Sequence, residues 1–103
     1  MISLYNARIQ ASKLRDCAEE LDRGNSIIDD SLSQISSTDA KTAGPVRDAL
    51  NFEKSKITEA INKLYQLADY IENKSNDIYN QEVEAARRAA EERRRREESR
   101  RNR

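Results

Sequence analysis

The chain has 103 residues with 2 Gly, 1 Pro and 37% charged residues, so it has room for one domain and few of the residues that form turns between strands. Its 19 Lys and Arg balance its 19 Asp and Glu. The sequence contains no histidine, one cysteine and no apolar run of 18 residues. These counts exclude the commonest general base, an internal disulfide and insertion of a helix into a membrane.

A first helix is predicted over residues 3–36. Between residues 4 and 35, apolar residues recur at alternating spacings of three and four, the pattern of a helix that packs along one seam. Small residues alternate with large ones, so a second helix can approach closely at the alanines. Asn25 is the single polar member of the seam, and it either fixes the register or is a tolerated defect. The core residues predicted in this helix are Leu14, Leu21, Ile28, Leu32 and Ile35.

A turn is predicted over residues 37–44 and a second helix over residues 45–83. Residues 36–45 contain no large apolar side chain, and Gly44 is expected to cap the second helix with Pro45 in its first turn. Together the two helices predict an all-α fold, an antiparallel two-helix hairpin over residues 1–83. The core residues predicted in the second helix are Leu50, Ile57, Ile61, Leu64, Ile71 and Ile78.

Residues 84–103 form a tail of Glu, Arg and Ala without apolar periodicity. Residues 87–103 contain nine Arg and four Glu, whereas residues 1–86 contain ten basic and fifteen acidic residues. Glu and Arg three or four residues apart can support a solvated helix, and a disordered tail is the alternative. Arg-rich segments attract phosphate, but the Glu residues oppose nucleic-acid binding, so a solvated extension is expected.

Several apolar residues fall outside the two seams. A two-helix hairpin is marginal by itself, because ordering its backbone costs about 1–2 kcal/mol per residue. We therefore expect these residues to contact a protein partner, although each one could instead widen the hairpin core. Cys17 flanks the seam and is expected to be partly buried and unreactive. The predicted partner-binding residues are Ile2, Tyr5, Ile9, Tyr65, Leu67, Tyr70 and Tyr79.

No arrangement of residues predicts catalysis, a metal site or a cofactor. Neighbouring carboxylates such as Glu19 and Glu20 diverge on a helix, and the sequence has no Gly-rich phosphate loop or nucleophile elbow. The sequence therefore predicts a non-enzymatic protein. Met1–Tyr5 lacks the basic and apolar regions of a cleavable signal peptide, so we expect synthesis in the cytoplasm.

The chain resembles the WXG-motif superfamily of type VII secretion substrates, and most closely the small alpha-helical proteins associated with LXG toxins of Gram-positive bacteria. Two long helices, a short central turn and a charged end after the second helix carry the resemblance over residues 1–86. The Trp-Xaa-Gly turn is absent, and Thr42–Pro45 occupies its place. The resemblance implies a targeting factor or chaperone-like partner for the helical N-terminal domain of a toxin, with a second small helical protein as a further partner.

The resemblance also implies an export signal in which an acidic residue follows an aromatic residue by four positions. Tyr65 and Asp69 have this spacing, whereas Tyr79 lies nearer the end of the second helix and is followed by Glu82 after three positions. These four residues are the candidate export signal, for secretion through a type VII system. The alternatives are a self-associating structural coiled coil, including a homodimer, and a nucleic-acid-associated protein that uses the Arg-rich tail.

Overall fold

The computed structural model describes residues 2–35 and 40–102, which form two α-helices. Helix α1 comprises Leu4–Ile35 and helix α2 comprises Ala40–Arg101. Neither described range contains a strand. The prediction of an all-α, two-helix fold is therefore confirmed.

The two helices run antiparallel. The amide N–H of Ile2 donates a hydrogen bond to Glu82 Oε2 at 2.8 Å, and Asn25 Nδ2 donates to Thr58 Oγ1 at 3.1 Å. A residue later in α1 therefore contacts a residue earlier in α2, as in a hairpin. The Cα atoms extend over 96 × 17 × 12 Å, so the molecule is a rod made of a single layer of two helices.

The helix ends agree only partly with the sequence prediction. Ser3 caps α1 as expected for this residue type, because its Oγ accepts a hydrogen bond from the N–H of Asn6 at 3.2 Å. Helix α2 begins at Ala40, so Gly44 and Pro45 lie inside its first two turns and Gly44 is not a cap. Residues 37–39 of the predicted turn, and residue 36 of the first predicted helix, lie outside the described residues. Ala43 is only 3% exposed, and its burial stabilises this earlier start of the helix.

The deepest burial between the helices belongs to one row of seam positions in each helix, which we call the inner row. Its six central members are buried, and only one of them, Ile61, has a large aliphatic side chain. Small side chains at these positions allow the two backbones to approach closely, as their alternation with large residues predicted. The inner row consists of Leu4, Ala11, Ala18, Asn25 and Leu32 in α1 and of Lys54, Ile61, Ala68, Ser75 and Glu82 in α2.

The other seam positions form the outer row, and every member is only half-buried. The sequence assigned all nine Leu and Ile residues of the outer row to the core, but in the structure the mostly small residues of the inner row occupy its centre. Of the eleven predicted core residues, Ile61 is buried and the other ten are half-buried. The outer row consists of Ala7, Leu14, Leu21, Ile28 and Ile35 in α1 and of Leu50, Ile57, Leu64, Ile71 and Ile78 in α2.

Helix geometry explains this difference between the rows. Successive residues turn by about 100° around the axis, so a residue three positions after an inner-row residue points about 60° to one side of it. When the inner row faces the opposite helix directly, the outer row covers the edge of the contact and keeps one flank in water. A third helix would be needed to bury that flank.

Asn25 is the polar residue at the centre of the inner row, and it is 7% exposed. Its Nδ2 donates to Thr58 Oγ1, and the Thr58 hydroxyl in turn donates to the carbonyl of Lys54 at 2.9 Å. Asn25 Oδ1 is buried and accepts no hydrogen bond from the described residues. The seam therefore carries an unsatisfied acceptor at its middle, which costs stability.

Candidate interaction surface

The outer rows of the two helices lie on the same side of the molecule. In α1 the outer row is rotated to one side of the inner row, and in α2 it is rotated in the same sense about an axis that runs the opposite way. The two rotations therefore turn the outer rows toward one common face. We call this surface the apolar face, and the ten outer-row residues define it.

The apolar face is long, and exposed apolar residues border it. From Ala7 to Ile35 it covers 28 residues of rise, or about 42 Å of helix. On α2, Val46 and Leu67 lie beside the outer row and are 43% and 47% exposed. One helix column further out lie Tyr70 of α2, 61% exposed, and Ile27 of α1, 66% exposed. Such a surface is typical of a helix pair that packs against further helices.

On the opposite face of the hairpin, a cluster of charged residues joins the two helices. Arg15 of α1 donates to Glu72 Oε1 at 2.6 Å and to Glu72 Oε2 at 3.2 Å, and it also donates to Asp69 Oδ1 at 2.9 Å. The hydrogen bonds from Arg15 hold the pKa of Glu72 below its ordinary value, against a smaller opposing effect of desolvation. The same bonds raise the pKa of Arg15, which stays charged at every relevant pH. The two faces therefore differ sharply, one apolar and the other ionic.

The lowered pKa of Glu72 predicts a dependence of stability on pH. A depressed carboxyl pKa contributes stability above the unfolded-state value, near 4.5, and that stability is lost as the pH falls through the lower folded-state value. The melting temperature should therefore fall more steeply from about pH 5 to about pH 3 in the wild type than in Glu72→Gln. Thermal unfolding of both proteins, followed by circular dichroism at a series of pH values, measures this difference.

Glu59→Gln is the matched control for that measurement, because it removes an exposed carboxylate of α2 and leaves the Arg15 cluster intact. This variant should keep the steepness of the wild type. Equal slopes for the wild type and Glu72→Gln would contradict the role assigned to the Arg15 hydrogen bonds.

The seven predicted partner-binding residues do not form one surface. Spacing around the helices places them in three groups. Leu67 and Tyr70 border the apolar face. Tyr65 and Tyr79 lie seven residues on either side of Glu72, so they lie on the ionic face, where Tyr65 is 38% exposed and Tyr79 is half-buried. The remaining three lie on the back of α1, about 160° from its outer row: they are Ile2 and Ile9, both half-buried, and Tyr5, 73% exposed.

Three of the four residues of the candidate export signal lie against α1 or are half-buried. Asp69 accepts a hydrogen bond from Arg15, and Glu82 accepts one from the amide of Ile2. Tyr79 is half-buried and Tyr65 is 38% exposed, whereas the side chain of Asp69 is 67% exposed. Both acidic groups therefore take part in contacts between the helices.

Sequence reasoning missed several residues of this region. Ile27 and Val46 border the apolar face, and their positions beside Ile28 and Leu50 could have indicated this. The pairing of Arg15 with Glu72 depends on the register of the two helices, which no local pattern reveals. Cys17 is exposed, contrary to the expectation of partial burial, because it lies in the helix column outside the outer row.

Among the residues that the structure describes, no three His, Cys, Asp or Glu side chains are grouped so as to hold a metal ion. Neither helix, over its described length, has a segment apolar enough to cross a membrane. Comparison of the chain with protein-family models, with curated proteins and with solved structures found no match. The geometry of the hairpin is therefore the main basis for a functional proposal.

Proposed function

We propose that this chain is a non-enzymatic helical binding protein that pairs with the helical N-terminal domain of a larger toxin of the LXG class. In this role it is a targeting factor or chaperone-like partner for export of the toxin by a type VII secretion system. The single observation that carries the proposal is the apolar face, whose ten Leu, Ile and Ala residues are all half-buried in the isolated hairpin.

A helical partner is the occupant that fits this face best. Two outer rows side by side form a straight strip about 42 Å long, which matches two further helices of about 28 residues each. Packing them against the strip completes a four-helix bundle. Burial of the exposed flanks adds about 25 cal/mol per Å² of apolar area, which a marginal two-helix hairpin needs.

The choice of an LXG toxin as the partner is supported by the resemblance of the hairpin and its charged C-terminal extension to the toxin-associated proteins. A self-associating coiled coil is the second candidate, because the apolar face of a second copy could also complete a four-helix bundle. The two candidates differ in the mass and composition of the complex.

The proposal predicts that Leu67→Asp combined with Tyr70→Asp weakens binding to the toxin domain at least about tenfold, because both charges are introduced beside the apolar face. The probe is the N-terminal domain of an LXG toxin encoded beside this chain. Size-exclusion chromatography with light scattering gives the mass of the complex, and calorimetry gives its Kd. The helicity of the variant should stay at the wild-type level, since neither side chain belongs to the buried inner row.

The matched control is Tyr5→Asp combined with Phe52→Asp, which changes two exposed aromatic residues on the side away from the apolar face. This variant should bind within about threefold of the wild type. Loss of binding only in the control would instead assign the interaction to the side of the hairpin away from the apolar face. A tight homo-oligomer that ignores the toxin domain would support the self-associating coiled coil and contradict the proposal.

A further inference from the structure

Helix α2 continues well beyond the end of α1. The hydrogen bond from Ile2 to Glu82 joins the first described residue of the chain to α2, which runs on to Arg101. We call residues 84–101 the arm. At 1.5 Å per residue it projects about 26 Å past the hairpin. No described residue of α1 lies beside α2 along this length.

The side of the arm in line with Glu82 has a regular composition. At about 100° per residue, five exposed residues separated by steps of four and three point within about 40° of the direction of Glu82, and we call them the inner side of the arm. Its first two residues are small and apolar, and the last three are basic. The inner side consists of Ala86, Ala89, Arg93, Arg96 and Arg100.

The charges of the arm are only partly balanced within the helix. The arm contains eight Arg and five Glu, an excess of three positive charges. Glu84 pairs with Arg87 at 2.7 Å, and Glu92 pairs with Arg96 at 2.8 Å. Within the described part of the chain, Arg93 and Arg100 have no ion pair. The inner side therefore offers guanidinium groups to carboxylates from another molecule.

We propose that the inner side of the arm binds an acidic α-helix of a partner protein, laid end to end with α1. Small or apolar residues of that helix pack against Ala86 and Ala89, and its carboxylates reach the three arginines. An acidic helix is the expected occupant because its carboxylates are opposite in charge to these arginines. The alanines allow it to approach α2 closely.

A protein helix fits the inner side better than nucleic acid does. Helix geometry places Glu92 and Glu97 on the two flanks of the arginines, where they repel phosphates on either side. The arm also lacks aromatic residues on which bases could stack. An amphipathic helix can place its own basic residues opposite these flanking glutamates.

Fluorescence anisotropy on the full chain tests the proposal. The probe is a labelled helical peptide with Ala and Leu along one stripe and Glu beside it, and its counterpart with Lys in place of Glu is the control probe. The acidic peptide should bind at low salt, and the Lys peptide should not bind. Changing Arg93, Arg96 and Arg100 together to Gln should weaken binding at least about tenfold.

The matched control changes Arg87, Arg94 and Arg101 to Gln, which removes the same charge from the far side of the arm. This control should bind within about threefold of the wild type. A second inner-side variant with Lys at the same three positions keeps the charge and should restore most of the binding. Circular dichroism at 222 nm checks that each variant keeps its helicity.

Three results would overturn the proposal. The first is equal weakening by the two Gln variants, which would indicate attraction to net charge without a defined side. The second is tighter binding of a 20-base-pair DNA duplex than of the peptide, and the third is self-association through the arm, detected by sedimentation. None of these variants changes the apolar face, so the results of this experiment do not affect the test of binding to the toxin domain.

Discussion

Replacing Ala18 by Leu is expected to lower the free energy of unfolding by about 1–3 kcal/mol, because the inner row has no space for a larger side chain. Ala18 is 0% exposed, and in the antiparallel register it lies near Ala68, which is also 0% exposed. A Leu at this position must push the two helices apart and loosen the contacts on both sides. Thermal unfolding followed by circular dichroism measures the loss, at roughly 4–8 °C per kcal/mol.

The same substitution at Ala89 is the control for this prediction. Ala89 lies on the arm, where no second helix approaches within the described residues, and Leu has nearly the helix propensity of Ala. Ala89→Leu should therefore leave the melting temperature almost unchanged. If Ala18→Leu were as well tolerated as Ala89→Leu, the close approach of the two helices at the inner row would be wrong.

Replacing Asn25 by Ala is expected to raise the free energy of unfolding by about 1–2 kcal/mol. The substitution removes the buried Oδ1 that accepts no hydrogen bond, and it continues the pattern of Ala11 and Ala18 along the inner row. The Thr58 hydroxyl keeps its bond to the carbonyl of Lys54, so no new polar group is left without a partner. Urea unfolding of the full chain measures the gain.

Asn73→Ala separates the two causes of that gain. Asn73 is exposed on α2, so the control gains only the difference in helix propensity, about 0.6 kcal/mol. A larger gain at Asn25 than at Asn73 measures the cost of the buried acceptor. A loss of stability in Asn25→Ala would show that Asn25 contributes more through its bond to Thr58 than its unsatisfied oxygen costs.

Much of the fold could be predicted from the spacing of apolar residues. The alternation of three and four from Leu4 to Ile35 specifies one continuous helix, and the spacing of seven from Leu50 to Ile78 specifies another. The short segment between them contains turn-forming residues and allows the helices to fold back on each other. The all-α hairpin follows from these features, and the structure confirms it.

The depth of burial could not be predicted in the same way. Periodicity shows which residues lie on one side of a helix, but the rotation of that helix about its own axis decides which row faces the neighbour. In this hairpin the alanines face it directly, and Leu14, Leu21 and Leu64 lie at the edge. The surplus of half-buried Leu and Ile therefore appears only when both helices are in place.

The candidate surface shows the same division between local and long-range information. Leu67 and Tyr70 could be identified as off-seam residues from sequence spacing alone. Their separation from Tyr5 and from Tyr65 depends on the direction of each helix column in the assembled pair. The pairing of Arg15 with Glu72 joins residues 57 positions apart and depends on the register of the hairpin.

Helix α2 is continuous from the hairpin to the end of the arm, so it connects the two as one rigid element. No hinge residue separates the two portions, since Gly and Pro are both absent between residues 46 and 101. A molecule bound to the arm is therefore held at a fixed distance from a molecule bound to the hairpin, and at a fixed angle around the axis of α2. Each residue inserted between the two surfaces would rotate one relative to the other by about 100° and separate them by a further 1.5 Å or so. The length of α2 therefore sets the relative orientation of the two bound molecules.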